Sequence, residues 1–589
     1  MMPPHRRPAA AWLRYRMQLM ATTLSDQTVQ MHSTRMRPVG AYFIVLGMTA
    51  VMLALIFAPV GWSALAFVAL APAAVAAVRA GGTRRLIWTS YVVAALWWLW
   101  MLRWLIPVTG FGYVLLAGFM AVYLPASLVM LRWLHLVLRV PVMFALPMAW
   151  VTCELVRSSW PSGGFAWFML GHSLAPYEPA HGLSRLIQVA DMVGDYGVSF
   201  LVAMTSGLIA DALTMQLYLR GRGSRRRVNP RVTVLAGVWA AVMAVAMTYG
   251  YIRIEQVKRA ETPIARLAVV QTDVPVSNRE RPKPGQVQQA WQTMLGLTLL
   301  VAKEDPKPDV IVWPETVVPA ALNAEALETV AESAQYDGDI RDLVRTTRVH
   351  LLVGAPAAYH EPYHHYNAAF HYRPDASQAT RRYDKIHRVP FGEYIPWVEW
   401  WPWLKQQFIA HLTPYDHDYT LTAGRAPAVF EMALDIPPAD AATRSHTVRL
   451  ATPICFEDTD ARLCRQMVYG RDGRKRVDVL VNLTNDAWFW PQERVQHLQI
   501  AVFRSVENRV PIARSVNTGV SGFISAAGEI LKLAGEPSNR LGRSVVIQQI
   551  KTNDIVTIFG GVGHVPAVAV AVLTVGLCLA GLIGRRRLG

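Results

Sequence analysis

Charged side chains make up only 17% of the 589 residues, against about a quarter in an ordinary soluble protein. Hydrophobic residues make up 53%, and mean hydropathy is +0.23. A soluble core does not need that much apolar surface, so part of the chain is expected to face lipid. Cysteine is scarce as well. The four present, Cys153, Cys455, Cys464 and Cys578, are too few for a disulfide scaffold. Cys153 and Cys578 fall inside apolar runs and read as packed, inert thiols, while Cys455 and Cys464 are expected to be two free thiols in a globular region. Acidic residues are outnumbered, 41 to 58, which leaves a net charge of +17. The excess forms no long basic stripe, so a nucleic-acid partner is not expected. The arginines sit beside apolar runs instead, as they do where a membrane protein is anchored at its cytoplasmic face.

Apolar stretches near the length of a bilayer crossing recur at 41–58, 62–78, 86–106, 111–131, 141–157, 194–214, 232–252 and 565–583. About eight spans are therefore expected. The second is short, and the fifth holds Pro141 and Pro147. Arginines load alternate loops: Arg79, Arg84 and Arg85; Arg132 and Arg139; the run from Arg220 to Arg231; and the C-terminal Arg585, Arg586 and Arg587. The turns at 59–61 and 107–110 carry none. Eight spans would place every basic loop on one side, which puts both termini in the cytoplasm and residues 253–564 outside it. The expected organisation is a disordered basic tail over 1–38, seven spans over 39–252, an extracytoplasmic domain over 253–564, and an eighth span with a short tail over 565–589.

Inside 253–564 the pattern changes. Runs at 264–271, 310–313, 350–354, 448–451 and 477–482 read as strands, and 286–303, 323–347 and 493–508 read as helices. Strands alternating with helices imply a layered α/β domain. Three of its segments each carry one reactive side chain. They are Val310-Ile-Val-Trp-Pro-Glu315, Arg382-Tyr-Asp-Lys385 with the following Phe391-Gly-Glu393-Tyr, and Ala451-Thr-Pro-Ile-Cys455-Phe-Glu457. A thiol acts as a nucleophile through its thiolate and needs a base or a cation nearby. Glu315 beside Trp313 and Pro314 is expected to have a raised pKa suited to proton transfer. Lys385 offers a fixed positive charge, and the backbone N–H near Phe456 could meet an oxyanion. Trp397, Trp400, Trp401 and Trp403 lie within seven residues and read as a membrane-interface loop, or alternatively as a flap packed on its own domain. Arg157 and Arg185 are placed to meet lipid phosphates.

These words, with Asn482-Leu-Thr-Asn-Asp486-Ala-Trp-Phe489, Gln496-His497, Arg504-Ser-Val-Glu507-Asn508 and Arg514-Ser-Val-Asn517-Thr-Gly519, together resemble the nitrilase, or carbon-nitrogen hydrolase, superfamily. With the spans, and Gly197-Val-Ser-Phe-Leu201 in the sixth, the chain resembles the membrane-bound apolipoprotein N-acyltransferase branch. The resemblance implies an αββα sandwich and a Glu-Lys-Cys triad of Glu315, Lys385 and Cys455. It gives Glu393, Glu457 and Phe456 supporting parts. Glu393 and Glu457 would either move protons or hold Lys385 or a loop by an ion pair; Asn482, Asp486 and His497 read as scaffolding. It further implies acyl transfer through a thioester, from a membrane phospholipid to a diacylated apolipoprotein, by a monomer that uses no cofactor and no metal. A membrane-tethered amidase, or an inactive lipid-binding relative, is the alternative. The family's tryptophan in the loop after the first strand is missing from 276–284, where lid behaviour is therefore open.

Overall fold

A computed structural model describes residues 36–588 apart from 37, 216–217, 221–225, 275–284, 361–362, 414–417, 435–445 and 536–541. The tail over 1–35 and the loop at 276–284 thus lie outside the described residues. Seven apolar helical segments come first: α1 (Val39–Leu55), α2 (Ser63–Arg79), α3 (Thr83–Met101), α4 (Gly110–Leu136), α5 (Val142–Ser159), α6 (Ala190–Thr214) and α7 (Pro230–Ala260). A last helix, Val565–Leu588, returns to pack against α5. Every run read as a span from the sequence is helical. Among the described residues, four helical stretches are long and apolar enough to cross a membrane: Gly110–Leu136, Leu186–Thr214, Pro230–Ala260 and Val565–Ile583. Their outward faces expose large side chains such as Leu115, Val245 and Val572, which water would not favour and lipid would. α2 is broken at Leu70 into short pieces.

Helix α7 leads into the second half of the molecule with almost no linker. At 1.5 Å per residue its 31 residues extend about 46 Å, against about 30 Å of hydrocarbon. Its final turns carry Arg253, Glu255, Lys258 and Arg259, so this polar end projects beyond the apolar length. Strand β1 (Thr262–Gln271) starts after one intervening residue, Glu261. It is followed by α8 (Gln286–Val301), β2 (Val310–Val312), the short helix Ala324–Thr329, α9 (Ala331–Thr347), β3 (His350–His360), β4 (Tyr363–Tyr372) and β5 (Tyr383–Asp384). Then come β6 (Phe430–Leu434), β7 (His446–Ala451), α10 (Ala461–Val468), β8 (Val479–Thr484) and α11 (Gln492–Asn508). Strands β9 (Ile512–Val516), β10 (Gly522–Ile524), β11 (Ile530–Leu533) and β12 (Ser544–Thr552) complete the domain ahead of the last helix, α12 (Val565–Leu588). The helix expected over 323–347 is therefore two helices, separated at Val330.

Two six-stranded sheets result, ordered β12-β1-β2-β3-β4-β5 and β11-β10-β9-β8-β7-β6. Each has parallel strands in the middle and antiparallel strands outside. The alternation of side chains along β1 sets the layers. Ala265, Leu267 and Val269 join the core between the sheets, whereas Ala268 and Val270 pack under α8 and α9 with Trp291, Met294 and Ile340. On the far side α11 covers the second sheet through Leu498, Val502 and Phe503. Ser515 of β9 donates 3.0 Å bonds that reach the carbonyls of Val270 and Val312 in the opposite sheet, which shows the sheets face to face in an αββα sandwich.

The catalytic-type domain is bolted to the helical body through buried charges. Arg509, just past α11, is fully buried and donates to Asp191 (2.9 Å) and to Gln188 (2.7 Å), both in the Leu186–Thr214 stretch. Asp191 also accepts from Arg253 and Tyr249 of α7. One turn on, Arg504 and Glu507 of α11 meet Asp195, where α6 kinks at Gly194 with φ 72°. Arg509→Met should lower stability by about 3 kcal/mol, because it leaves half of a buried ion-pair network uncompensated. Thermal unfolding of the full chain in micelles measures this.

Candidate active site

The three segments singled out in the sequence converge at one end of the sandwich. Glu315 follows β2 by three residues and immediately precedes Thr316, whose φ of 48° turns the chain. It is 6% exposed. Lys385 is the residue after β5 and is 1% exposed. Its Nζ lies 2.6 Å from Glu393 Oε1 and 3.6 Å from Glu315 Oε1. Cys455 opens a 3-10 turn, Cys455–Thr459, four residues past the end of β7. Its φ of 53° lies in the left-handed region, which costs an L-residue roughly 1–2 kcal/mol. That strained turn leaves the thiol half-buried among the other two groups.

Electrostatics follow from this burial. Desolvation raises the pKa of Glu315, and the ammonium of Lys385 opposes the rise only in part. The Asn367 amide donates to the same carboxylate at 2.6 Å, and the Cys455 thiol also hydrogen-bonds it. Burial tends to lower the Lys385 pKa, but Glu393, Cys455 and Glu315 together raise it above the ordinary value, so Lys385 is a permanent cation. Burial and the Glu315 charge push the Cys455 thiol well up, against the pull of Lys385 and His497. The resting sulfur is therefore a thiol hydrogen-bonded to a carboxylate, not a preformed thiolate. Chemically the set can pass one proton from sulfur to Glu315 as an electrophile is attacked, with Lys385 beside the charge that develops.

The supporting residues divide sharply. Glu393 binds Lys385 directly, and its second oxygen accepts from the Val389 N–H at 2.8 Å. Glu457 does not touch Lys385. Its Oε1 accepts from the N–H groups of Ile386 (2.7 Å) and His387 (2.9 Å), its Oε2 from Ile454 N–H (2.8 Å), and both accept from Tyr383 Oη. It staples the loop bearing Lys385 to the turn bearing Cys455. Burial pushes its pKa up to about 7. Asn482 donates to the carbonyls of Pro453 and Cys455 and steadies the same turn. Trp397, Trp400, Trp401 and Trp403 are 62–83% exposed, which is not the arrangement of a flap packed on its own domain. Arg157 corrects an expectation. It is buried, and its guanidinium donates to the carbonyls of Phe165, Trp167 and Phe168, so it organises a loop of the helical body and cannot meet a phosphate. Arg185 is exposed, with its guanidinium over Tyr251.

Two site residues carried no signal of their own in the sequence. Asn367 lies in β4, a strand of tyrosines and histidines that resembles no motif. Trp167 comes from the helical body. Its ring lies parallel to Phe456 at 6.3 Å and packs 5.4 Å from His497, while its indole N–H donates to Gln496 of α11. Asp486, Glu493 and His497 place one donor atom each within 4.8 Å of one another. His497 is committed to carboxylates at both nitrogens, and Arg514 sits behind Asp458. The group is an ion-pair cluster in character.

Residues 266–558 match the family model for carbon-nitrogen hydrolases, and residues 49–208 match that for the apolipoprotein N-acyltransferase N-terminal domain. Apolipoprotein N-acyltransferase of Geobacter metallireducens is 28% identical over 83% of this chain and 86% of its own. That of Methylococcus capsulatus is 28% identical over 74% and 73%, and that of Bdellovibrio bacteriovorus 26% over 78% and 77%. A solved amidase from Nesterenkonia sp. overlays at a TM-score of 0.32 with 13% identity, covering 50% of this chain and 91% of its own. By its match to the family model the sandwich is of the carbon-nitrogen hydrolase class, mounted on a helical body. The chain belongs to the apolipoprotein N-acyltransferase family, the membrane-bound branch of that superfamily.

Two outcomes follow from this geometry. Glu457→Ala should strand four buried donors and cost about 3 kcal/mol of stability, with activity lost in parallel; thermal unfolding and turnover of the same preparation test it. Only the carboxylate form of Glu315 can take the thiol proton, and burial raises its pKa. Activity should therefore climb through an acid limb above the ordinary glutamate value of about 4.3. No alkaline loss should come from Lys385 until well above its ordinary range. A pH–rate profile checks both limbs.

Proposed function

We propose that this protein moves a fatty acyl chain from a membrane phospholipid to the α-amino group of a diacylglyceryl-cysteine at the N-terminus of an apolipoprotein. One observation carries the reading. The Glu315–Lys385–Cys455 site sits in a domain whose first strand begins one residue after a 31-residue apolar helix and whose last strand leads into another. A domain tethered so closely at both ends works on molecules held in the same bilayer. The family membership and the names of the relatives point the same way.

In the first half-reaction Glu315 accepts the Cys455 proton while the sulfur bonds to an ester carbonyl carbon. Lys385 and the backbone N–H near Phe456 stabilise the oxyanion. Collapse of the tetrahedral intermediate breaks the C–O bond, Glu315 returns the proton to the departing lysophospholipid, and a thioester remains on Cys455. In the second, the lipoprotein amine attacks the thioester carbonyl and Glu315 takes the amine proton. The C–S bond then breaks and the thiol is reprotonated. The two half-reactions share one site, so donor and acceptor alternate in it.

The alternation of arginine-rich loops supports eight crossings, with both termini in the cytoplasm and the sandwich on the periplasmic face of the inner membrane. The four exposed tryptophans then rest at headgroup level beside the site, where indoles are favoured. The enzyme works as a monomer with no cofactor.

Intact-mass measurement after incubation with phospholipid should find the parent heavier by one acyl chain, localised to Cys455 and released by hydroxylamine. Cys455→Ala should stay unmodified and fail to replace the native enzyme in a depleted strain. Growth supported by Cys455→Ala would rule the mechanism out.

A further inference from the structure

His497 is the residue whose surroundings the proposed acyl transfer does not yet use. It lies on α11, is 2% exposed, and directs both ring nitrogens at carboxylates. Nε2 is 2.7 Å from Asp458 Oδ1, and Nδ1 is 3.3 Å from Asp486 Oδ1 and 3.4 Å from Glu493 Oε1. A neutral imidazole carries one N–H and would turn a lone pair toward a carboxylate at its other nitrogen. Burial and the Asp486 charge push Glu493 up to about 7, so Asp458 and Asp486 are the acceptors that favour a hydrogen on each ring nitrogen, the imidazolium form.

The charges around it come from four elements. Asp458 belongs to the Cys455–Thr459 turn, Asp486 to the 3-10 turn Asp486–Trp488, Glu493 to α11 itself, and Arg514 to β9. Arg514 donates to Asp458 at 2.6 Å, so Asp458 is held between two cations. Burial lowers the pKa of His497, but Asp458 and Asp486 outweigh it and raise the group well above its ordinary value. Trp167 covers the ring, and the same indole stacks on Phe456, the residue after the nucleophile. The cation thus touches the nucleophile's turn twice, through Asp458 and through Trp167.

We propose that His497 is a positioning residue of the acyl-transfer site: it fixes the Cys455–Thr459 turn through Asp458 and supplies a second positive charge, beyond Lys385, to the sulfur as it ionises. The inference rests on the thioester reading given above. It assigns a charge-dependent part to a residue that sequence alone gives only to the scaffold. The attraction between His497 and Cys455 also opposes the burial that keeps the thiol protonated.

The test uses the full-length enzyme in micelles. The alkylation rate of Cys455 by iodoacetamide is followed against pH in the parent, His497→Gln and His497→Asn, and read from the Cys455 peptide. Thermal unfolding confirms that each variant is folded. Removing the cation should slow alkylation about tenfold near neutral pH and move its rising limb upward by about one pH unit. A rate unchanged in both variants, or lowered equally at every pH, overturns the proposal. So does loss of the folded enzyme in both, since His497 would then serve the fold alone. Alkylation needs no lipid, so the two ideas fail separately. A parent that alkylates normally yet forms no thioester from phospholipid contradicts the acyl-transfer reading and leaves His497 untouched.

Discussion

A single buried carboxylate joins the two halves of the reactive centre. Glu457 accepts hydrogen bonds from the chain on either side, from Tyr383, Ile386 and His387 near Lys385 and from Ile454 beside Cys455. With the His387–Asp460 contact of 3.1 Å, it holds the strained turn at Cys455 against the loop carrying the ammonium, two segments that come from different sheets. Desolvating a carboxylate is costly unless its oxygens are paired, and here every partner belongs to one of the two segments that must meet. The cost of burial is thereby turned into positional precision for the sulfur and the ammonium.

The same low-polarity setting decides the resting chemistry. It keeps the thiol protonated and Glu315 basic enough to take the proton, while Glu393 and Glu315 keep Lys385 charged. Held as a thiol at rest, the sulfur reacts more slowly with adventitious electrophiles than a thiolate would. The helical body completes the enclosure. Trp167 forms one wall against Phe456, and the Arg509–Asp191 and Arg504–Asp195 networks hold α11 in fixed relation to the helix in which Asp191 and Asp195 lie. Membrane body and sandwich are one unit at the site.

Much of this was legible in the sequence, and the reasons are physical. Eight apolar runs and the charge alternation between them show directly, because lipid selects composition over long stretches. Strands such as β1 and β8 show because both faces are buried over most of their length and the runs are mostly apolar. The strand β4, rich in His and Tyr, did not show, although it delivers Asn367 to Glu315. Glu315, Lys385 and Cys455 were visible through the words around them, but nothing local says that Glu457 binds backbone N–H groups while Glu393 binds the ammonium. Glu393 follows Lys385 by eight residues and Glu457 follows Cys455 by two, and only the path of the chain assigns each its partners. Arg157 misled for the same reason: an arginine near the end of a span reads as a phosphate ligand until its carbonyl partners are seen.

The central claim is that the site carries an acyl chain on Cys455 and reserves it for an amine of a lipoprotein. The most direct measurement isolates the acylated enzyme free of donor and follows the thioester with and without a diacylated lipopeptide. The account predicts a thioester that persists in buffer and is discharged rapidly into an amide on the lipopeptide. Equal rates of loss in both samples, with free fatty acid as the product, would contradict it and make the protein a hydrolase.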